Sequence, residues 1–255
     1  MHSKFVLPGA LLSIAATAFL WLGPIPQLSH YHAFADQRAW AGIPHAADVL
    51  SNLGYLAAGL AGFACLPRAR RLRGLDPVRF SYGLFFAALI ATAAGSSWYH
   101  LAPDDCRLLA DRLPIALACA ALLAVCAREH LAAPRCLNGL LVAFAIASVA
   151  WWGLSGDLRL YLFLQLAPML GIPLVLQCAQ APRGERIVFG TAVLLYAGAK
   201  LCELADAKIY AAAGVSGHTL KHVISALAAG VIVWGFARRC DTEMRRVPEI
   251  MYQTA

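Results

Sequence analysis

Charge is scarce in this sequence. Of its 255 residues only 14% are Asp, Glu, Lys or Arg, against about 25% in an average soluble domain. A water-soluble enzyme of this size needs more charge on its outside, and a disordered chain needs it more still. No segment repeats and no low-complexity linker interrupts the chain, so a repeat solenoid is excluded as well. Cysteine occurs at 65, 106, 119, 126, 136, 178, 202 and 240, mostly inside apolar runs and never as a CxxC pair. That pattern fits small buried hydrophobes and neither a disulfide frame nor a thiolate metal site.

Apolar residues are plentiful: 60% of the chain is hydrophobic and the mean hydropathy is +0.65. A membrane-crossing helix takes ~20 apolar residues, so eight would use ~160. Eight apolar segments are visible, at about 5–23, 48–66, 80–100, 112–128, 137–153, 158–177, 187–205 and 218–237. The first also has features of a signal peptide, with Lys4 ahead of it and Ala33-Phe34-Ala35 as a small-residue site. Its length, and the distance to that site, favour an anchor.

The basic residues orient the bundle. With the N-terminus inside, Lys4, Arg68, Arg70, Arg71, Arg73, Arg79, Arg128, Arg135, Arg183, Arg186, Arg238, Arg239, Arg245 and Arg246 fall on the cytoplasmic side. Only Arg38, Arg107, Arg112, Arg159 and Lys208 fall outside, while Lys200 and Lys221 lie within spans. This bias is the positive-inside pattern. It accounts for the net charge of +7 without nucleic acid.

Ionisable residues within spans are costly and therefore functional candidates. Ser96 and His100 end the third span four residues apart, on one helix face. Asp111 and Arg112 open the fourth, with Pro114 read as belonging to its first turn. His218 and His222 open the eighth, again four apart. The alternation of spans puts all of these at the outer membrane level. Three imidazoles suit a tetrahedral Zn²⁺ that keeps water in its fourth position. The motif is not HExxH, because position 219 is Thr, so Asp111 is the candidate proton acceptor and Ser96 a hydrogen-bond donor. His32 and His45 lie in the outer 24–47 loop and His130 on the cytoplasmic side. Lys200, Glu203 and Asp206 follow one another at spacings of three, as an intramembrane ion pair, a proton path or an outer shell to the metal.

Ser96-x3-His100, Asp111 and His218-x3-His222, in that order, resemble the signature of the alkaline ceramidase family. That family belongs to a membrane hydrolase group with the progestin and adiponectin receptors and the Per1-like proteins. The resemblance spans about residues 30–240, and Phe34-Ala35-Asp36-Gln37-Arg38, with Asn52 after Asp48, is similar to bacterial members. It implies an all-α, seven-helix membrane fold with zinc on His100, His218 and His222, and Asp111 and Ser96 acting on the catalytic water. The implied substrate is the N-acyl amide of a ceramide-like lipid, cleaved to a fatty acid and a sphingoid base. Eukaryotic ceramidases also hold Ca²⁺, for which Asp36 and Asp48 are the matching acids here; the rest of that pattern departs.

The expected organisation is an N-terminal transmembrane helix (1–28), a seven-helix ceramidase-like domain (29–240) and a cytoplasmic tail (241–255). The expected location is a bacterial inner membrane, with the site near the non-cytoplasmic face. A receptor or scaffold with structural zinc, and a transporter using Lys200, Glu203 and Asp206, remain alternatives.

Overall fold

Seven stretches of the chain form helices long and apolar enough to cross a membrane. The computed structural model describes residues 9–253 except 11, 12, 15, 20 and 71, and describes side chains only as far as 245, with 73 also excepted. The first crossing is α1 (Ala46–Ser51) continued by α2 (Leu53–Ala69). Four more are α3 (Asp76–Leu101), α4 (Asp105–His130), α5 (Cys136–Ser155) and α6 (Arg159–Cys178). After α7 (Arg183–Leu204) comes the short α8 (Asp206–Ala213), and α9 (Gly217–Gln253) makes the last crossing with its Gly217–Arg245 portion. The described residues form no strand, only isolated bridges Pro26 to Asp157 and Trp40 to Ile43. The chain is an all-α, multi-pass membrane protein. Leu140, Leu170 and Leu194 stay exposed, as lipid-facing side chains of such a bundle do.

Of the crossing expected over 5–23, the described residues 9, 10, 13, 14, 16–19 and 21 are helical, and Phe19 meets Phe163 at 6.1 Å between ring centroids. Residues 22 and 23 have left the helix, and 5–8, 11, 12, 15 and 20 lie outside the described residues.

Two sequence expectations are corrected. The fourth span starts at Asp105, earlier than its hydropathy indicates, because Asp104 caps it by accepting from the Arg107 N–H at 2.7 Å. Pro114 is therefore inside the helix, and Asp111 lies in its second turn, away from the end. Second, Asp206 does not continue the face of Lys200 and Glu203. α7 ends at Leu204, and Asp206 begins a separate helix. The stretch 241–255, expected as a tail, is helical as far as Gln253. Hydropathy marks where a helix leaves the membrane, and nothing in the polar 238–247 run stops it from continuing.

The buried Pro114 has a second consequence. Having no N–H, it leaves the Ala110 carbonyl, four residues back, without a helical partner. Gly95 of α3 packs against that same carbonyl: a Cβ at Gly95 would lie 2.1 Å from Ala110 O and 3.4 Å from Asp111 N. Only glycine lets α3 and α4 approach this closely, and the approach sets Ser96 beside the Asp111 turn. Deeper in the membrane, Tyr82 and Phe86 of α3 pack on Phe236 of α9 at 4.4 and 5.4 Å between centroids. In lipid, such dispersion contacts replace the hydrophobic drive between helices.

Outside the spans, two carboxylates tie down the N-terminal loop. Asp157 accepts from the Ile25 N–H at 3.1 Å and pairs with Arg159; Asp36 is gripped by Arg38. These guanidiniums hold both carboxyls below the usual carboxylate range. The ties contribute fully above about pH 4, the unfolded value, and are lost as pH falls through the lowered folded values.

Gly95→Ala forces a Cβ into the Ala110 carbonyl and is expected to destabilise the detergent-solubilised protein by ~1–3 kcal/mol. Gly190→Ala, which meets nothing within 4 Å, is the control and should not destabilise. Thermal unfolding of the two variants checks the pair, and an unchanged melting temperature in Gly95→Ala contradicts the close approach.

Candidate metal centre

His100 from the end of α3 and His218 and His222 from the first turns of α9 converge in the protein. Each offers a ring nitrogen, and the three lie within 4.8 Å of one another, all from buried residues. The His100 and His218 Nε2 atoms are 3.3 Å apart. Two ligands at 2.0–2.1 Å from one tetrahedral ion are separated by about 3.3–3.4 Å, so the spacing already fits a metal.

Each imidazole is held by its surroundings. His222 turns Nδ1 to the Asp48 carbonyl at 3.2 Å and to Ser51 Oγ at 2.8 Å. A carbonyl only accepts, so Nδ1 carries the proton and the Nε2 lone pair is free for an ion. Ser51 in turn donates to the same Asp48 carbonyl. His100 is positioned through its own carbonyl, which accepts from His45 Nδ1 at 2.9 Å. Phe34 lies across the group, its ring 4.6 Å from that of His100 and 4.5 Å from that of His218.

The start of α9 is built to hold His218. Ser216 Oγ caps the helix by accepting from the Thr219 N–H at 2.8 Å, and Asp206 Oδ1 accepts from the His218 N–H at 3.0 Å. Asp206 Oδ2 accepts from the Ala35 N–H, so one carboxylate joins the helix start to the loop carrying Phe34. Gly217 is required here, since a Cβ would lie 2.1 Å from the Cys202 carbonyl.

Asp111 and Ser96 are buried. The Lys221 ammonium, the Ser96 hydroxyl and the Arg112 guanidinium are neighbours of the Asp111 carboxyl. Ser96 Oγ and His100 Nδ1 are buried with no hydrogen-bond partner. A buried hydroxyl without a partner beside a carboxyl and an imidazole group leaves hydrogen-bonding capacity for a ligand or water.

Lys200 and Glu203 pair as their spacing indicates, at 2.9 Å. Lys221 joins the same carboxylate at 3.0 Å and also donates to His218 Nε2 at 3.0 Å. Phe34 and Ser51 carry no sequence signal for the site; Asp206, expected as an outer shell to the metal, accepts from the His218 N–H, and Lys221, an in-span cation, reaches His218 itself. Asp36 is taken up by Arg38, and Asp48 Oδ1 accepts from Thr219 at 2.6 Å and Ser216 at 3.3 Å. Neither acid belongs to the histidine group. His32 accepts from the Tyr99 hydroxyl and donates to Asp105, outside the group. On the opposite side, Glu129, His130 and Glu185 also cluster. There Arg239 neutralises Glu129 and His130 bonds Glu185, which makes an ion-pair network.

Below the histidines, a cavity of about 140 Å³ runs into the bundle. Leu89, Ile172, Phe189 and Ile232 line it, and Lys200 and Lys221 stand in its wall. In comparisons with known proteins, the chain matches no family model, no curated protein and no solved structure.

Because Ser51 Oγ is the closer acceptor for the His222 Nδ1–H, at 2.8 Å, and orients the ring, Ser51→Ala is expected to weaken metal binding by roughly 10-fold. Chelator competition on the purified protein measures this. An unchanged dissociation constant contradicts the orienting role.

Proposed function

We propose that the protein is a zinc-dependent intramembrane amidase, related to the alkaline ceramidases, that hydrolyses the N-acyl amide of a ceramide or similar lipid. The observation that carries this reading is the three-histidine group with Asp111 and Ser96 beside it and an apolar cavity beneath. The donor set fits Zn²⁺: three imidazoles, no thiolate, and one proton-bearing Nδ1 held by a carbonyl. Structural zinc sites are closed by four protein ligands, whereas this group offers three, which favours a catalytic site over a scaffold. When bound, zinc supplies Lewis acidity and shifts the pKa of a water toward ~7.

The chain's own residues divide the remaining work. The acyl chain lies in the cavity with its carbonyl at the histidine end. Asp111 takes a proton from the attacking water and delivers it to the leaving nitrogen, so amide and water become carboxylic acid and amine. Ser96 donates to the carbonyl oxygen as negative charge develops there. Phe34 covers the site from the outer loop and limits bulk water. Asp111 is the proton carrier rather than a ligand, so its loss separates chemistry from metal binding. The protein belongs, in this reading, in a bacterial inner membrane with the site toward the non-cytoplasmic face.

Purified protein is expected to release fatty acid from ceramide or a related N-acyl lipid. Asp111→Asn should lower kcat by about 10²–10⁴ while zinc content is retained. His218→Ala should lose both. Full activity in Asp111→Asn, or no release from any N-acyl lipid by zinc-loaded protein, rejects the amidase.

A further inference from the structure

The site holds more positive charge than an amidase for a neutral lipid needs. Lys200 and Lys221 share one carboxylate, Glu203, and each ammonium has three donors. A cation on the histidines would take the His218 lone pair that Lys221 now uses, leaving that lysine with Glu203. A third cation stands close by. Arg112 is only 2% exposed. Its guanidinium lies 3.8 Å from the Trp152 ring centroid, 5.1 Å from that of Tyr31 and 5.3 Å from that of Tyr161. One of its nitrogens donates to Gln27 Oε1 at 2.7 Å, and the other two, Nε and Nη1, are buried without a partner.

Arg112 and Lys200 have two tyrosines as common neighbours. Tyr161 interacts with both, and Tyr31, stacked on Arg112, also acts on Lys200. Three cations, Arg112 buried and Lys200 and Lys221 partly buried, thus stand near two carboxylates, Glu203 and Asp111, before any metal adds its charge. Buried charge without a partner is costly, and the excess is positive. An aromatic cage supports the cation but does not satisfy its N–H groups. An anionic group on the ligand does both.

We infer that the substrate is an acidic N-acyl lipid, of the N-acyl amino acid class, whose carboxylate is received by Lys200 and Arg112 while its acyl chain fills the apolar cavity. This rests on the amidase reading for the placement of the amide at the histidines. It differs from that reading in assigning the headgroup: a carboxylate follows the amide nitrogen, where a ceramide carries only hydroxyls.

The test is equilibrium binding, which needs no turnover. The probes are hexadecylsulfonylglycine, which keeps the carboxylate but has no hydrolysable amide, its neutral counterpart hexadecylsulfonylethanolamine, and palmitate. They are titrated into the zinc-loaded full chain in detergent. The glycine probe should bind at least about 10-fold more tightly than the ethanolamine probe, as charge-assisted hydrogen bonds give. Lys200→Met and Arg112→Gln should each erase that preference, the glycine probe losing about 10-fold more affinity than the neutral probe. Equal binding of the two sulfonyl probes overturns the inference, and so does a preference that survives both substitutions. If palmitate binds as tightly as the glycine probe with the same dependence on Lys200, the cations serve the acyl carboxylate and the headgroup assignment falls. Hydrolysis of ceramide with no preference for the acidic probe leaves the amidase standing and rejects this inference alone. A clear preference with no hydrolysis of any N-acyl lipid does the reverse.

Discussion

Three imidazoles crowded into an apolar interior are the constraint on which this structure depends. Neutral rings with Nε2 atoms 3.3 Å apart cannot all find donors among themselves, because each lone pair then faces another lone pair or a single shared proton. A divalent cation answers all of them together and repays their removal from water. Much of the histidine end of the bundle holds that geometry. The carbonyl and hydroxyl of α1 fix His222, the Asp206 carboxylate fixes the start of α9, His45 fixes His100, and the close contact of Gly95 with the freed Ala110 carbonyl sets Asp111 and Ser96 alongside.

The outer loop belongs to the same construction. Phe34 reaches the histidines because Asp206 binds the Ala35 N–H and Asp36 pairs with Arg38. Farther along, Asp157 fixes the Ile25 N–H. The loop is thereby both a cover over the site and a tie between α8, α9 and the α5–α6 turn. The cavity gives the opposite boundary: mostly apolar walls, with Lys200 and Lys221 among them.

The seven crossings and the histidine group were legible in the sequence because each rests on a strong local signal. Runs of apolar residues cannot be anything but lipid-facing or core, and HxxxH places two rings on one helix face whatever the rest of the fold does. Alternation of spans then carried His100 to the same level. The start of α4 was not legible in the same way, since its first turns are polar and hydropathy reports the membrane rather than the helix. Asp206 was misread because a spacing of three implies one face only while the helix continues, and the break at Ala205 carries no Gly or Pro. Lys221 and Arg112 appeared as isolated basic residues. Tyr31 neighbours both, Glu203 joins Lys221 to Lys200, and Tyr161 adjoins Arg112; these partners come from other segments of the chain, and only tertiary packing brings the cations together.

The most direct measurement is X-ray absorption at the zinc edge of the purified, detergent-solubilised chain. The account predicts one zinc per chain with three imidazole nitrogens at about 2.0–2.1 Å, one oxygen ligand completing the shell, and no sulfur. In His222→Ala the imidazole scattering should fall by a third or the zinc be lost. Sulfur at about 2.3 Å, a fourth protein nitrogen in place of oxygen, or protein that takes up no zinc contradicts it.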